Sequence, residues 1–172
     1  IHVLEIIVVF KKMINSLKKN FIINFLFVFT IFFLDRITKL YVINFNENYG
    51  VDLINSKFLN ISLIWNQGIA FGLFSFNEKY FYNILTFIIL IVILIILFMI
   101  KNSEGLKKYS LLMIFGGALG NLYDRIVFSA VPDFIDIHIN NFHWFIFNVA
   151  DIFITLGVLI MIMTGIYWYR QK

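Results

Sequence analysis

The stretch FIILIVILIILFMI, Phe87 to Ile100, runs through fourteen residues without a charged or hydrogen-bonding side chain. A helix on a soluble core keeps a polar face, and this one has none. Extended back to Tyr80, the run exceeds the roughly 20 residues, at about 1.5 Å each, that cross 30 Å of hydrocarbon. Three further runs are long enough: Phe21 to Ile43, Tyr109 to Val131 and Trp144 to Tyr169. With 61% hydrophobic and 14% charged residues in 172, the chain is expected to be an all-α membrane protein of four transmembrane helices.

The cations orient those helices. Lys11, Lys12, Lys18 and Lys19 precede the first run, Lys101, Lys107 and Lys108 separate the second from the third, and Arg170 and Lys172 follow the fourth. Nine of the fourteen cations thus share one side, which the positive-inside rule makes cytoplasmic, together with both termini. Residues 44–79 and 132–143 are then outside. Leu59, Ile61 and Leu63 alternate with Asn60 and Ser62, the pattern of a small extracytoplasmic β segment. Residues 1–20 read as a peripheral N-terminal extension and 21–172 as a single four-span domain. The first twelve residues lack the charge and small-residue cleavage site of a signal peptide. Without cysteine there are no disulfides, thiolate metal sites or cysteine nucleophiles. Nucleic acid is not an expected partner, because the cations sit in short flanks. Trp65, Trp144 and Trp168 fall near span ends, as interfacial aromatics do.

FNVADIFITL, residues 147–156, sets Asp151 inside the fourth run. A carboxylate near the bilayer centre costs roughly 2.5 to 3.5 kcal/mol and needs a use. Counted along ideal helices, Asp35 lies roughly 21 Å above the inner boundary, Asn121 about 18 Å, Asp124 about 22 Å and Asp151 about 20 Å. Polar groups from three helices thus converge on one level, where they can share hydrogen bonds. Asn121 precedes Asp124 by three residues and Asn148 precedes Asp151 by three, so each amide flanks an acid. Gly116 and Gly120 in GGALGN form a small-xxx-small pair that lets another helix approach closely.

NQGIAFGLF, GGALGNLYDRI, VPDFIDIHI and FNVADIFI, in that order, resemble the lipoprotein signal peptidase (signal peptidase II) family between about Asp35 and Thr155. The resemblance implies an aspartic endopeptidase of the bacterial cytoplasmic (inner) membrane, with its site toward the extracytoplasmic face. Such an enzyme removes signal peptides from diacylglyceryl-modified prolipoproteins, cleaving before the lipidated cysteine with a water activated by an aspartyl dyad. The dyad falls on Asp133 and Asp151. Asp35, Asn66, Asn121, Asp124, Arg125, Asn148 and Ala150 fall on supporting or substrate-binding positions. Implied partners are lipidated prolipoproteins and membrane lipids, the protein acting as a monomer without cofactor or metal. Pro132 and Phe145 depart from the family pattern, which puts local backbone shape in question.

Two acids can hydrolyse a peptide when one takes a proton from water and the other, still protonated, hydrogen-bonds the scissile carbonyl. Neighbouring carboxylates in low dielectric cannot both ionise, so the pair is expected to be singly protonated when active. Depth alone pairs Asp151 with Asp124. Favouring Asp133 are Arg125, beside Asp124 and able to keep it charged, and Pro132, which disfavours helix at Val131 and lets the chain turn back. Asn66 is either a donor to substrate backbone or a turn cap beside Gln67 and Gly68. The 44–76 segment could close over a bound peptide. His138, His143 and Asp136 are expected to be solvated, and no standard metal-ligand motif is present. A presenilin-type protease lacks its second G-x-G-D element here, a proton-coupled transporter lacks repeats, and a structural subunit leaves the shared depth unexplained.

Overall fold

A computed structural model describes residues 2–68, 79–140 and 142–170, and gives four helices and one sheet. The helices are α1 (His2–Tyr49), α2 (Lys79–Lys101), α3 (Gly105–Phe128) and α4 (Val149–Arg170). The strands are β1 (Ile54–Asn55), β2 (Leu59–Asn66), β3 (Val131–Ile139) and β4 (Phe142–Phe147). All four helices are long and apolar enough to cross a membrane, α1 through Lys18–Tyr49. Residues 69–78, which include most of NQGIAFGLF and the outer part of the segment expected to close over the site, lie outside the described residues, as does the side chain of Trp168.

The helices turn apolar side chains outward, as a lipid-facing bundle must. Phe87, Phe98, Ile126 and Met163 are each more than three-fifths exposed, and such faces are satisfied by acyl chains rather than by water. The third helix is the hub, packing on α1, α2 and α4. Its glycines permit this. A Cβ on Gly117 would sit 2.5 Å from the Ala150 carbonyl oxygen, and one on Gly116 would press on Ile31 at 3.1 Å. The expected close approach is therefore present and divided: Gly116 admits α1, while Gly117 admits α4.

Two expected spans lose residues at the ends that meet the sheet. The third ends at Phe128 rather than Val131, because Ser129 takes the left-handed conformation (φ 56°) that closes a helix. The fourth begins at Val149 rather than Trp144. Val131 instead belongs to β3 and Trp144 to Phe147 belong to β4, and the expected small β segment is a four-stranded antiparallel sheet in the order β1-β2-β3-β4. Pro132 has no N–H for a helix interior but is tolerated near the start of a strand. Ile64 pairs with Asp133 and Asn66 with Val131, which lays the end of β2 against the start of β3.

Candidate active site

The polar side chains of three helices and the sheet meet at the sheet end of the bundle in two adjoining groups. In the deeper group the terminal nitrogens of Arg36 and Lys39 meet the carboxylates of Asp35 and Asp124. Lys39 Nζ donates to Asp35 Oδ2 at 2.9 Å, to Asp124 Oδ2 at 2.7 Å and to Asn121 Oδ1 at 2.8 Å. All three ammonium protons are used, and Lys39, Asp35 and Asp124 are wholly buried. Arg36 bridges Asp35 at 3.0 Å and Asp124 at 2.5 Å. Two cations and two anions cancel, which is the condition for burying them. Asp35 also accepts from the Ala150 N–H at 3.0 Å, tying α1 to the first turn of α4. Gly120 makes room for that carboxylate, since a Cβ there would lie 2.5 Å from Asp35 Oδ2.

The outer group contains Asp133 and Asp151. Asn148 caps α4 and Asp151 completes a reciprocal box. Asn148 Oδ1 accepts from the Asp151 N–H at 3.1 Å, and Asp151 Oδ2 accepts from the Asn148 N–H at 3.1 Å. Asn121 Nδ2 donates to Asp151 Oδ1 at 2.8 Å. Across the gap, Asn148 Nδ2 donates to Asp133 Oδ1 at 2.6 Å and Asn66 Nδ2 to Asp133 Oδ2 at 2.8 Å. Every oxygen of the two carboxylates thus accepts from an asparagine nitrogen. Asp133 is 3% exposed; burial first, and then the nearby Asp151 charge, push its carboxyl up to about 6.

The two aspartates line one cavity of about 380 Å³, with Asn66, Asn121 and Arg125 on its polar side and Ile89, Val158 and Leu159 on its apolar side. Arg125 does not hold Asp124, as expected from sequence. Its Nη2 donates to the Gly68 carbonyl, its guanidinium lies 5.5 Å from the Tyr82 ring centre, and its buried Nη1 has no hydrogen-bond partner among the described residues. Asp124 is held instead by Arg36 and Lys39, two residues the sequence reading passed over. Their signal was present, because two cations inside an apolar run need anionic partners as much as Asp35 needs a cation. Asp151 also lies higher than a helix from Trp144 would place it, in the first turn of α4, although its level still matches Asn121. Asn66 does cap a turn, accepting from the Gly68 N–H at 2.8 Å, while its amide nitrogen serves Asp133.

His143 is exposed, as expected, but Asp136 and His138 are not solvated. Asp136 is 4% and His138 8% exposed, and His143 Nδ1 sits 2.8 Å from Asp136 Oδ2. They lie apart from the cavity, since residues three apart on a strand face opposite sides.

Comparisons with known proteins agree with this arrangement. Residues 27–167 match the family described as signal peptidase (SPase) II. The chain is 48% identical over 155 residues to a lipoprotein signal peptidase of Pelagibacter ubique (strain HTCC1062), covering 90% of this chain and 93% of that one. It is 41% identical over 143 residues to one from Anaplasma phagocytophilum (strain HZ), covering 82% and 90%. A solved structure described as a bacterial membrane enzyme superposes with a TM-score of 0.70 at 33% identity, over 87% of this chain and 90% of that one.

Proposed function

The chain belongs to the signal peptidase II family, and from that premise we propose that it cleaves diacylglyceryl-modified prolipoproteins before the lipidated cysteine, with Asp133 and Asp151 as the catalytic pair. One observation carries the assignment. These two carboxylates come from a strand and a helix with only β4 between them in the chain, face one cavity, and are held by amides rather than by the cations that hold Asp35 and Asp124. Amide donors leave each oxygen a second lone pair, and hence room for a water and one mobile proton.

In the working state one carboxylate is ionised and takes a proton from water as that water attacks the scissile carbonyl. Its partner, protonated, hydrogen-bonds the carbonyl oxygen and stabilises the tetrahedral intermediate. Collapse returns a proton to the leaving amine. Burial and the Asp151 charge raise the Asp133 carboxyl to about 6, which lets the pair hold a shared proton as its two coupled titrations proceed. Arg125, which lines the cavity, would hold a substrate carbonyl. Ile89, Val158 and Leu159 offer the apolar wall that a signal peptide's hydrophobic segment needs. Asp151 also borders a second, almost wholly apolar cavity of about 300 Å³ with Trp144, Phe147 and Leu156, where acyl chains would lie beside the cut.

The supporting set is Asp35, Asn66, Asn121, Asp124, Arg125, Asn148 and Ala150. We place the protein in the bacterial inner membrane as a monomer, both termini cytoplasmic and the sheet outside, with residues 21–172 as one domain. The test is to incubate purified protein with a diacylglyceryl prolipoprotein and an unlipidated control, for wild type, Asp133→Asn, Asp151→Asn and Asp124→Asn. Cleavage of only the lipidated precursor, abolished in the first two variants while they stay folded, is expected. Turnover by Asp133→Asn would overturn the assignment.

A further inference from the structure

The hairpin of β3 and β4 carries a second constellation that peptide hydrolysis does not use. His138 and His143 are directly cross-strand, their rings stacked with centroids 4.8 Å apart. Asp136 lies two residues before His138 and so shares its face of the sheet. Its Oδ2 is 2.8 Å from His143 Nδ1 and 3.8 Å from His138 Nδ1. One ligand atom from each residue falls within 4.8 Å of the others. A second feature points to a ligand. His138, more than nine-tenths buried, has an Nδ1 with no hydrogen-bond partner among the described residues, and that nitrogen faces the carboxylate.

We propose that Asp136, His138 and His143 bind one divalent ion of zinc's chemical class. Two imidazole nitrogens and a carboxylate oxygen form a three-ligand set that zinc accepts, leaving a fourth position for water. The 2.8 and 3.8 Å separations bracket the edge of about 3.3 Å expected for a tetrahedron with bonds of 2.0–2.1 Å. Asn60 supplies the outer support that metal carboxylates have. Its Nδ2 donates to Asp136 Oδ2 at 3.3 Å while its Oδ1 accepts from the Ser56 N–H at 3.2 Å. An ion can enter past His143, whose side chain is 52% exposed. Bound there, it joins β3 to β4, and through Asn60 to β2, without touching Asp133 on the opposite face.

The test uses detergent-purified full-length protein without a polyhistidine tag, stripped with chelator and titrated with zinc chloride against a chromogenic zinc indicator. One equivalent is expected to bind at micromolar free zinc and to raise the thermal unfolding temperature. Both effects should persist in His2→Ala and in Asp133→Asn. Both should vanish in His143→Ala, an exposed position whose loss leaves the fold intact, and Asn60→Ala should weaken binding about 10-fold. Absence of binding in the wild type, binding unchanged in His143→Ala, or binding lost with His2 or Asp133 would each overturn the site.

Discussion

The two buried carboxylate pairs differ in one respect that separates scaffold from chemistry. Asp35 and Asp124 face Arg36 and Lys39 at 2.5 to 3.0 Å, so their charges are neutralised in place. Asp133 and Asp151 face Asn66, Asn121 and Asn148, which orient without neutralising. A carboxylate between two cations is neutralised where it sits; one with only amides beside another acid can share a proton with it. On the proposed mechanism the inner pair holds α1, α3 and α4 together and the outer pair moves a proton. Asn121 joins them, accepting from Lys39 and donating to Asp151. Its amide orientation is thereby fixed, and a rigid ionic core sets the position of one reacting group.

The largest expected effect breaks the comparison from the outer side. Asp133→Asn or Asp151→Asn should lower the rate of precursor cleavage by at least about 10³-fold, within the range of acid–base catalysis, with a thermal unfolding curve close to wild type. The inner pair should respond in the opposite way. Lys39→Met strands Asp35 and Asp124 with one cation between them, and breaking a buried ion pair costs about 3–5 kcal/mol. Thermal unfolding in detergent should show it as lost stability. If Lys39→Met left stability untouched but removed activity, the division of labour between the pairs would be wrong.

How far the sequence foretold this division depends on which physical signal each residue carries. The four helices were legible because apolar runs of membrane length have few other uses, and Asp151, Asn121 and Asn148 stood out as polar residues lodged in such runs. The strands β3 and β4 were not, because Val131 and Trp144 continue the apolar runs of α3 and α4, hiding the turn at Ser129 and the cap at Asn148. The choice of Asp133 over Asp124 rested on the resemblance and on Arg125 and Pro132; that a strand folding back brings Asp133 to Asn148 is something no count along a continuous helix reveals. Arg36 and Lys39 were missed because cations near a span end are commonly read as interfacial anchors. Asp136 and His138 were misjudged because residues in a connection are usually solvated, whereas here the connection is a sheet that buries them.

Asn121 tests the link between the pairs with a smaller effect. Asn121→Ala removes one donor to Asp151 and one acceptor from Lys39. A hydrogen bond to a charged group contributes about 1.5–3 kcal/mol, so kcat should fall about 10- to 100-fold, with a measurable but partial loss of stability. Loss of stability alone would place Asn121 with the ionic core.

The smallest effect is a displacement of the pH profile. Burial and the nearby Asp151 charge push the Asp133 carboxyl up to about 6, and if its proton is the one donated to the carbonyl, kcat/KM should fall about tenfold per pH unit above that point. Asn66 donates to the ionised form of Asp133 and thereby holds the value down. Removing the donor in Asn66→Ala favours the protonated form, so the alkaline limb should move to higher pH, by up to roughly one unit for a bond of about 1.4 kcal/mol. A profile in which Asn66→Ala moved the acidic limb and left the alkaline one in place would reverse the two roles, making Asp133 the base and Asp151 the proton donor.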